Sequence, residues 1–334
     1  MAVLIFGEAT ENGISPATLR IATAGAQLAA AMNEPLVGAL IGTDLSAAAQ
    51  GFDGIETLYL VEGAHYRPYA ADAYVAAAQA VIDASAASVV LFAHGADTRE
   101  WVPRLAARIG AGLVMDCASI KLEDGALIAG KPVNGGGVTA EYVVHGPRRM
   151  ATLRASAYEP LNFPLPPTGG EGQGEGKHAK RVRFEIAPEI EPRVTVLGEE
   201  AVGPTDGPRL KDAKTIVSGG RGLGGPDNWH YIEEAAAALG AAVGCSRPVA
   251  DSAWVPSSHQ VGLSGTSVSP DLYIAVGISG AAQHLAGITA AKTVVAINNS
   301  AEADIFSRAD YGVVGDYREV LPAFVQRVKQ LRGA

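Results

Sequence analysis

Two glycine-punctuated runs are the places where this chain could hold a phosphate. Gly220-Arg221-Gly222-Leu223-Gly224-Gly225 fits the spacing G-x-G-x-x-G. Glycines so spaced let a backbone approach a phosphate, and a helix that starts just beyond turns its first N–H groups toward negative charge. A tight structural turn is the other reading of the same residues. The next apolar run ends Cys245-Ser246-Arg247 rather than in the Asp or Glu that grips an adenine ribose, which argues against ordinary NAD use. The second run, Gly277-Ile278-Ser279-Gly280-Ala281, nearly matches the nucleophile elbow G-x-S-x-G. It ends in alanine, and no histidine follows Ser279 except His284, so the order Ser, acid, His cannot be completed and hydrolysis is set aside. Close helix–strand packing and a second phosphate loop both fit it.

Other chemistry-bearing residues are sparse. No His, Cys, Asp or Glu spacing points to a metal site, and His94 and Asp97 stand too isolated to make one. Residues 254–269 are rich in Ser, Gly and Pro and carry Gln260, Ser264 and Thr266, which suits either a surface loop or a ligand with many acceptors. Cys117 and Cys245 are too few for a disulfide framework.

The elements that must position these residues alternate. Val3–Phe6 reads as a strand buried on both faces, 7–15 as a loop, and Ser15-Pro16 as a cap and first residue of a helix to about Met32. Strands are expected at 35–42, 56–61 and 88–93, with helices at 70–85 and 98–110. Such alternation implies a parallel sheet with helices on both faces. Residues 113–153 break into short β-like pieces between glycines, and 193–197 reads as one more strand. A second alternating series follows: strands at 215–218, 241–245, 272–276, 293–298 and 311–314, and helices at 228–239, 280–286, 303–309 and 317–332. The strands at 215–218 and 272–276 lead into the two glycine runs, and the strand at 241–245 ends at Cys245-Ser246-Arg247. The run 272–291 is uncharged and long enough to span a bilayer, but Ser279, Gln283 and His284 within it indicate a buried strand, a turn and a helix.

The 334 residues suggest two α/β domains. Residues 163–180, Pro-rich and then Gly-rich, read as a long exposed loop with a solvated basic edge at 177–183. The expected division is an N-terminal domain over 1–200, a linker over 201–209, and a doubly wound domain over 210–334. A hydrophobic content of 48% excludes a disordered chain, and a net charge of −9 speaks against nucleic acid and membrane surfaces as partners. The expectation is a cytoplasmic protein that is not integral to a membrane.

The runs Val217-Ser218-Gly219-Gly220-Arg221-Gly222-Leu223, Gly244-Cys245-Ser246-Arg247, 272–281, Gln283-His284-Leu285-Ala286-Gly287, Val295-Ala296-Ile297-Asn298 and Ala309-Asp310-Tyr311-Gly312 together resemble the α subunit of electron transfer flavoprotein. The resemblance is close over about 210–328 and looser over 1–160. It implies a heterodimer with a β subunit, against which the N-terminal domain packs, and one FAD held mainly by the C-terminal domain. It also implies an electron carrier without substrate chemistry of its own, serving acyl-CoA and other dehydrogenases as donors, as in fatty acid β-oxidation, and a quinone reductase or another acceptor. Matched motif by motif, the FAD site would comprise Arg221, Ser246, Arg247, Val261, Gly262, Leu263, Ser264, Ser279, Gly280, Ala281, Gln283, His284, Asn298 and Asp316.

By that resemblance the N–H groups around 279–283 hold the pyrophosphate, His284 bonds the pyrimidine end of the flavin, and Ser264 lies near N5. Arg221 and Arg247 supply fixed charge. A cation at ~4 Å from a reduced, anionic flavin in an effective dielectric of ~20 contributes about 4 kcal/mol before solvation losses. The chain departs from the family in the loop Val261-Gly262-Leu263-Ser264-Gly265-Thr266, where relatives carry Gln, Thr and Lys in place of Leu263, Ser264 and Thr266. Cys245 stands where alanine is common, and the Gly/Pro-rich run at 163–180 is unusual. Two other readings of the same residues are an NADP-dependent oxidoreductase with Arg247 on the 2′-phosphate, and a non-redox nucleotide-binding module.

Overall fold

A computed structural model describes residues 1–10, 13–52, 55–134, 138–161, 179–184, 186, 194, 196–198, 208–210, 213–288 and 291–332. Most of the expected loop at 163–180 and of the linker at 201–209 lies outside the described residues. The chain divides into two compact units, one of Met1–Val133 with Val138–Glu199 and one of Asn134–Gly137 with Glu200–Ala334.

In the first unit, short apolar runs become strands and alanine-rich amphipathic runs become helices, in the order β1 (Ala2–Gly7), α1 (Pro16–Met32), β2 (Leu36–Gly42), β3 (Thr57–Glu62), α2 (Ala71–Ser85), β4 (Ala87–Ala93) and α3 (Ala96–Ile109). After them come β5 (Gly112–Cys117), β6 (Ser119–Glu123), β7 (Ala126–Val133), β8 (Val138–Val144), β9 (Arg149–Leu153) and β10 (Lys180–Phe184). Ser15 caps α1 as expected, its Oγ accepting from the Thr18 N–H at 3.2 Å, with Pro16 at the first helical position. Gly110 ends α3 in the left-handed conformation at φ 65. The described strands form a seven-stranded parallel sheet, ordered β10-β3-β2-β1-β4-β9-β5, and an antiparallel trio, β8-β7-β6. Ile21 and Leu28 of α1 pack on one face of the large sheet, and Val75, Val81 and Ile82 of α2 with Trp101 and Leu105 of α3 pack on the other.

Three local expectations change. Residues 7–15 contain a two-stranded ribbon, Ala9–Thr10 with Gly13–Ile14. The strand expected at 193–197 does not appear at its described residues, 194, 196 and 197. Its place as a late strand is taken by β10, inside the stretch read as a solvated basic edge. There Val182 and Phe184 alternate with exposed cations, and Arg183 pairs with Glu62 at 2.7 Å. Lysine and arginine on an outer strand protect it from adding further strands, and here they hide its period-two pattern.

The second unit runs β11 (Thr215–Gly219), α4 (His230–Leu239), β12 (Ala242–Cys245), α5 (Arg247–Asp251), β13 (Leu272–Val276), α6 (Ala282–Gly287), β14 (Thr293–Asn298), β15 (Tyr311–Val314) and α7 (Tyr317–Arg332). Its sheet is wholly parallel, ordered β12-β11-β13-β14-β15. In the unit's own count that is 2-1-3-4-5, a doubly wound order whose direction reverses between β11 and β13. Ile232 of α4 and Leu321 of α7 cover one face, and Val268, Ile278, Ile288 and Ile305 cover the other. The helix expected at 303–309 is only a 3₁₀ turn, Asp304–Ser307. Its Ile305 N–H is drawn to the Ser279 carbonyl at 3.0 Å, which holds the segment across the strand ends.

Candidate functional site

A doubly wound sheet gathers ligands at the carboxyl ends of its strands, beside the reversal. In the second unit those ends are Gly219, Cys245, Val276 and Asn298. The residues just beyond them line a cavity of about 740 Å³, within the usual range for small-molecule and cofactor sites. Of the fourteen residues expected from the sequence, Arg221, Ser246, Arg247, Val261, Leu263, Ser264, Ser279, Ala281, Gln283, His284 and Asn298 line it. Gly262, Gly280 and Asp316 do not.

The two glycine runs separate in role. In the first, the N–H groups of Gly220 and Gly222 bond the carbonyls of Val276 and Gly277 at 2.8 and 2.9 Å, and those of Leu223 and Gly224 close turns onto Gly220 and Arg221. A Cβ on Gly220 would meet the Gly277 carbonyl oxygen at 2.2 Å. The run is therefore the tight turn that lets two strand-end loops touch, with the exposed side chain of Arg221 as its contribution to the cavity. In the second run, the N–H groups of Ser279, Gly280, Ala281, Ala282 and Gln283 donate to no acceptor among the described residues. Five successive open donors make a cradle for an anionic group. Gly280 makes this path possible: its φ is +90, and a Cβ there would lie 2.1 Å from the Ile305 nitrogen.

Polar side chains around the cavity are mostly held by the chain itself. Asn298 donates Nδ2–H to the Ile278 carbonyl at 2.9 Å and accepts the Ser300 N–H at 3.0 Å. Ser264 Oγ accepts from Gln260 Nε2 at 2.9 Å. Leu263 is 66% exposed and is tied by its N–H to the Gln283 carbonyl. Ser246 is buried, and its N–H bonds the Gly219 carbonyl at 3.0 Å. Asp316, outside the cavity wall, accepts the Arg318 N–H at 2.9 Å at the start of α7.

Arg247 opens α5 and pairs through Nε with Asp251 Oδ2 at 3.3 Å, both side chains being largely exposed. Asp251 also lines the cavity. The sequence reading passed over it, although a carboxylate four residues beyond an arginine on a helix is a legible pair. Ser300 and Ala303 were passed over too, and their signal was position alone, just past the end of β14.

His284 differs from the rest. It is 6% exposed, and its Nε2 lies 2.9 Å from the hydroxyl of the fully buried Tyr273. Its Nδ1 is buried without a hydrogen-bond partner among the described residues. Burial pushes its pKa down to about 4, against a smaller upward influence of the Val261 backbone, so the ring is neutral near pH 7. Burial also pushes the Cys245 thiol up to about 12, which leaves it an inert packing group.

Residues 209–289 match the family model described as the electron transfer flavoprotein FAD-binding domain, and residues 3–187 match the electron transfer flavoprotein domain. The chain belongs to the electron transfer flavoprotein α-subunit family. The α subunit of electron transfer flavoprotein from Bacillus subtilis is 34% identical over 333 residues, covering 98% of both chains. That of Mycobacterium leprae is 36% identical over 335 residues, covering 99% of both. Protein FixB of Clostridium saccharobutylicum is 30% identical over 337 residues, covering 99% of this chain and 97% of its own. The cofactor of the matched domain is FAD, and the site fits such a group. It has the volume, a run of open donors for a pyrophosphate, two guanidiniums, and a buried ring nitrogen lacking a partner. Among the described residues, no helix is long and apolar enough to cross a membrane, and no group of three or more His, Cys, Asp or Glu could hold a metal.

Proposed function

We propose that this chain is the FAD-binding subunit of a heterodimeric electron transfer flavoprotein. It would pair with a β subunit, accept electrons from acyl-CoA or other dehydrogenases, and pass them to a quinone reductase or a similar acceptor in the cytoplasm. The observation that carries the reading is the coincidence of the cavity, the open donors at 279–283 and the FAD-binding match in one unit. In this reading residues 1–200 form the domain that packs on the partner, 201–209 the linker, and 210–334 the cofactor domain.

Bound FAD would supply the one- and two-electron chemistry. The chain's own residues would bind and tune it. The N–H groups of 279–283 would take the pyrophosphate, donors being already oriented and unspent. Arg221 and Arg247 would offset negative charge gained on reduction, and as guanidiniums they cannot act as proton donors near neutral pH. Neutral His284 would offer a hydrogen bond without a charge. Ser264, held by Gln260, would present its hydroxyl toward the ligand.

Co-expression of the chain with a β subunit should give a yellow complex of one copy of each, bleached by an acyl-CoA dehydrogenase with its substrate. A folded, colourless pair that takes up no FAD on reconstitution would refute the assignment.

A further inference from the structure

Beneath the cavity lies a polar pair whose second member has no part in the reading above. Tyr273 stands in the middle strand of the second sheet, fully buried, with Oη 2.9 Å from His284 Nε2. A buried phenol must place its proton. Ser218 Oγ on the neighbouring strand is buried without a hydrogen-bond partner of its own, so among the described residues the hydrogen-bond partner of the phenol is the imidazole. That leaves the imidazole Nε2 as the acceptor for the phenol proton, and a neutral imidazole has one donor nitrogen and one acceptor nitrogen. If Nε2 accepts, Nδ1 carries the hydrogen, and Nδ1 is the atom left without a partner on a side chain that lines the cavity.

We propose that Tyr273 is a positioning residue that fixes His284 in the Nδ1–H tautomer, so that the cavity is offered a neutral hydrogen-bond donor at that point. The inference rests on the reading of the cavity as the FAD site for the identity of the acceptor, but not for the tautomer itself. Without the phenol nothing holds Nε2 bare, the Nε2–H form becomes accessible, and molecules in that form present a lone pair where the cofactor needs a donor. An acceptor facing a lone pair is both unbonded and repelled, so Tyr273 acts on the cofactor through His284 without touching it. The same logic governs metal-binding histidines, whose far nitrogen is fixed by a second group that sets the working nitrogen.

The test is nitrogen NMR of the histidine-labelled heterodimer, recorded with FAD bound and again after FAD is stripped. The His284 signals are assigned by their loss in His284→Asn. In the wild-type protein His284 should show Nδ1 protonated and Nε2 bare in both states. In Tyr273→Phe, which keeps the ring and loses only the hydroxyl, the signals should move toward a mixture of tautomers, and FAD should bind about three- to tenfold more weakly, as for one neutral hydrogen bond. A wild-type His284 protonated at Nε2 overturns the proposal, as does a tautomer unmoved by Tyr273→Phe. The measurement on stripped wild-type protein decides the question even where the variant does not fold. Wild-type protein that never takes up FAD refutes the cofactor reading while leaving the tautomer measurable.

Discussion

At the scale of single residues the site is a contest between fixed charges and a group that avoids charge. Arg247 and Asp251 both line the cavity and pair at 3.3 Å, but with side chains 65% and 62% exposed the pair itself is worth about 0–1 kcal/mol. Each is therefore free to act on a bound cofactor with its own sign. Arg247→Ala should lower the first midpoint potential of bound FAD and Asp251→Asn should raise it, each by some tens of millivolts. An interaction of about 1 kcal/mol corresponds to roughly 40 mV for one electron. FAD content should be unchanged, and spectroelectrochemistry reads both shifts; two unmoved potentials would place these charges out of the flavin's reach. His284 imposes a pH dependence. Its folded pKa near 4 lies below the unfolded value of about 6.5, so between them the unfolded chain binds more protons. The stability this group permits is complete above the unfolded value and falls as pH drops toward the folded one. From about pH 7 to about pH 5 the stripped protein should lose roughly 2 kcal/mol through this group. His94, whose pKa burial also lowers, adds a loss of the same sign. Urea unfolding of wild type and His284→Asn at the two pH values isolates the His284 part, and equal pH slopes in the two proteins would contradict it.

At the scale of elements, legibility followed pattern. Alternating apolar and alanine-rich runs announced the strands and helices of both units, and Ser15-Pro16 announced the start of α1, because each signal is local. The site residues were legible through their motif-by-motif resemblance to the flavoprotein family, and the parallel sheet brings most of them together at its strand ends. The failures came where the deciding contact is remote in sequence. The segment at 303–309 has enough alanine for a helix but is caught as a turn by the Ser279 carbonyl. Which glycine run would cradle an anion was undecidable from spacing, since the first spends its N–H groups on Gly277 and its neighbour, over fifty residues away. Gly280 ties these points together. With φ at +90 and the Ile305 nitrogen 2.1 Å from any added Cβ, Gly280→Ala must move the 304–307 turn or the donor loop. It should cost more than about 2 kcal/mol, from backbone strain and displaced packing together. Thermal unfolding and FAD titration check both consequences, and wild-type stability with full FAD content would show that the loop yields without loss.

At the scale of the whole molecule, each unit has a parallel sheet covered on both faces by its own hydrophobic clusters. Every residue lining the cavity belongs to the second unit. A ligand that binds only folded protein stabilises what it touches by RT ln(1 + [L]/Kd), about 2.7 kcal/mol at a hundredfold excess over Kd. Binding energy supplied at 221–303 enters the opening equilibrium of the strands that end at the cavity. Amides of β11, β13 and β14 should therefore exchange about a hundredfold more slowly when FAD is added to stripped protein under conditions where these strands exchange by opening of the whole unit. Those of β1, β2 and β4, which belong to a separately cored sheet, should change by less than about threefold. Hydrogen exchange followed by peptide mass analysis reads both sets in one experiment. Equal slowing in the two units would mean that they unfold as one cooperative body, and the first unit would then share in the energetics of a cofactor it does not line.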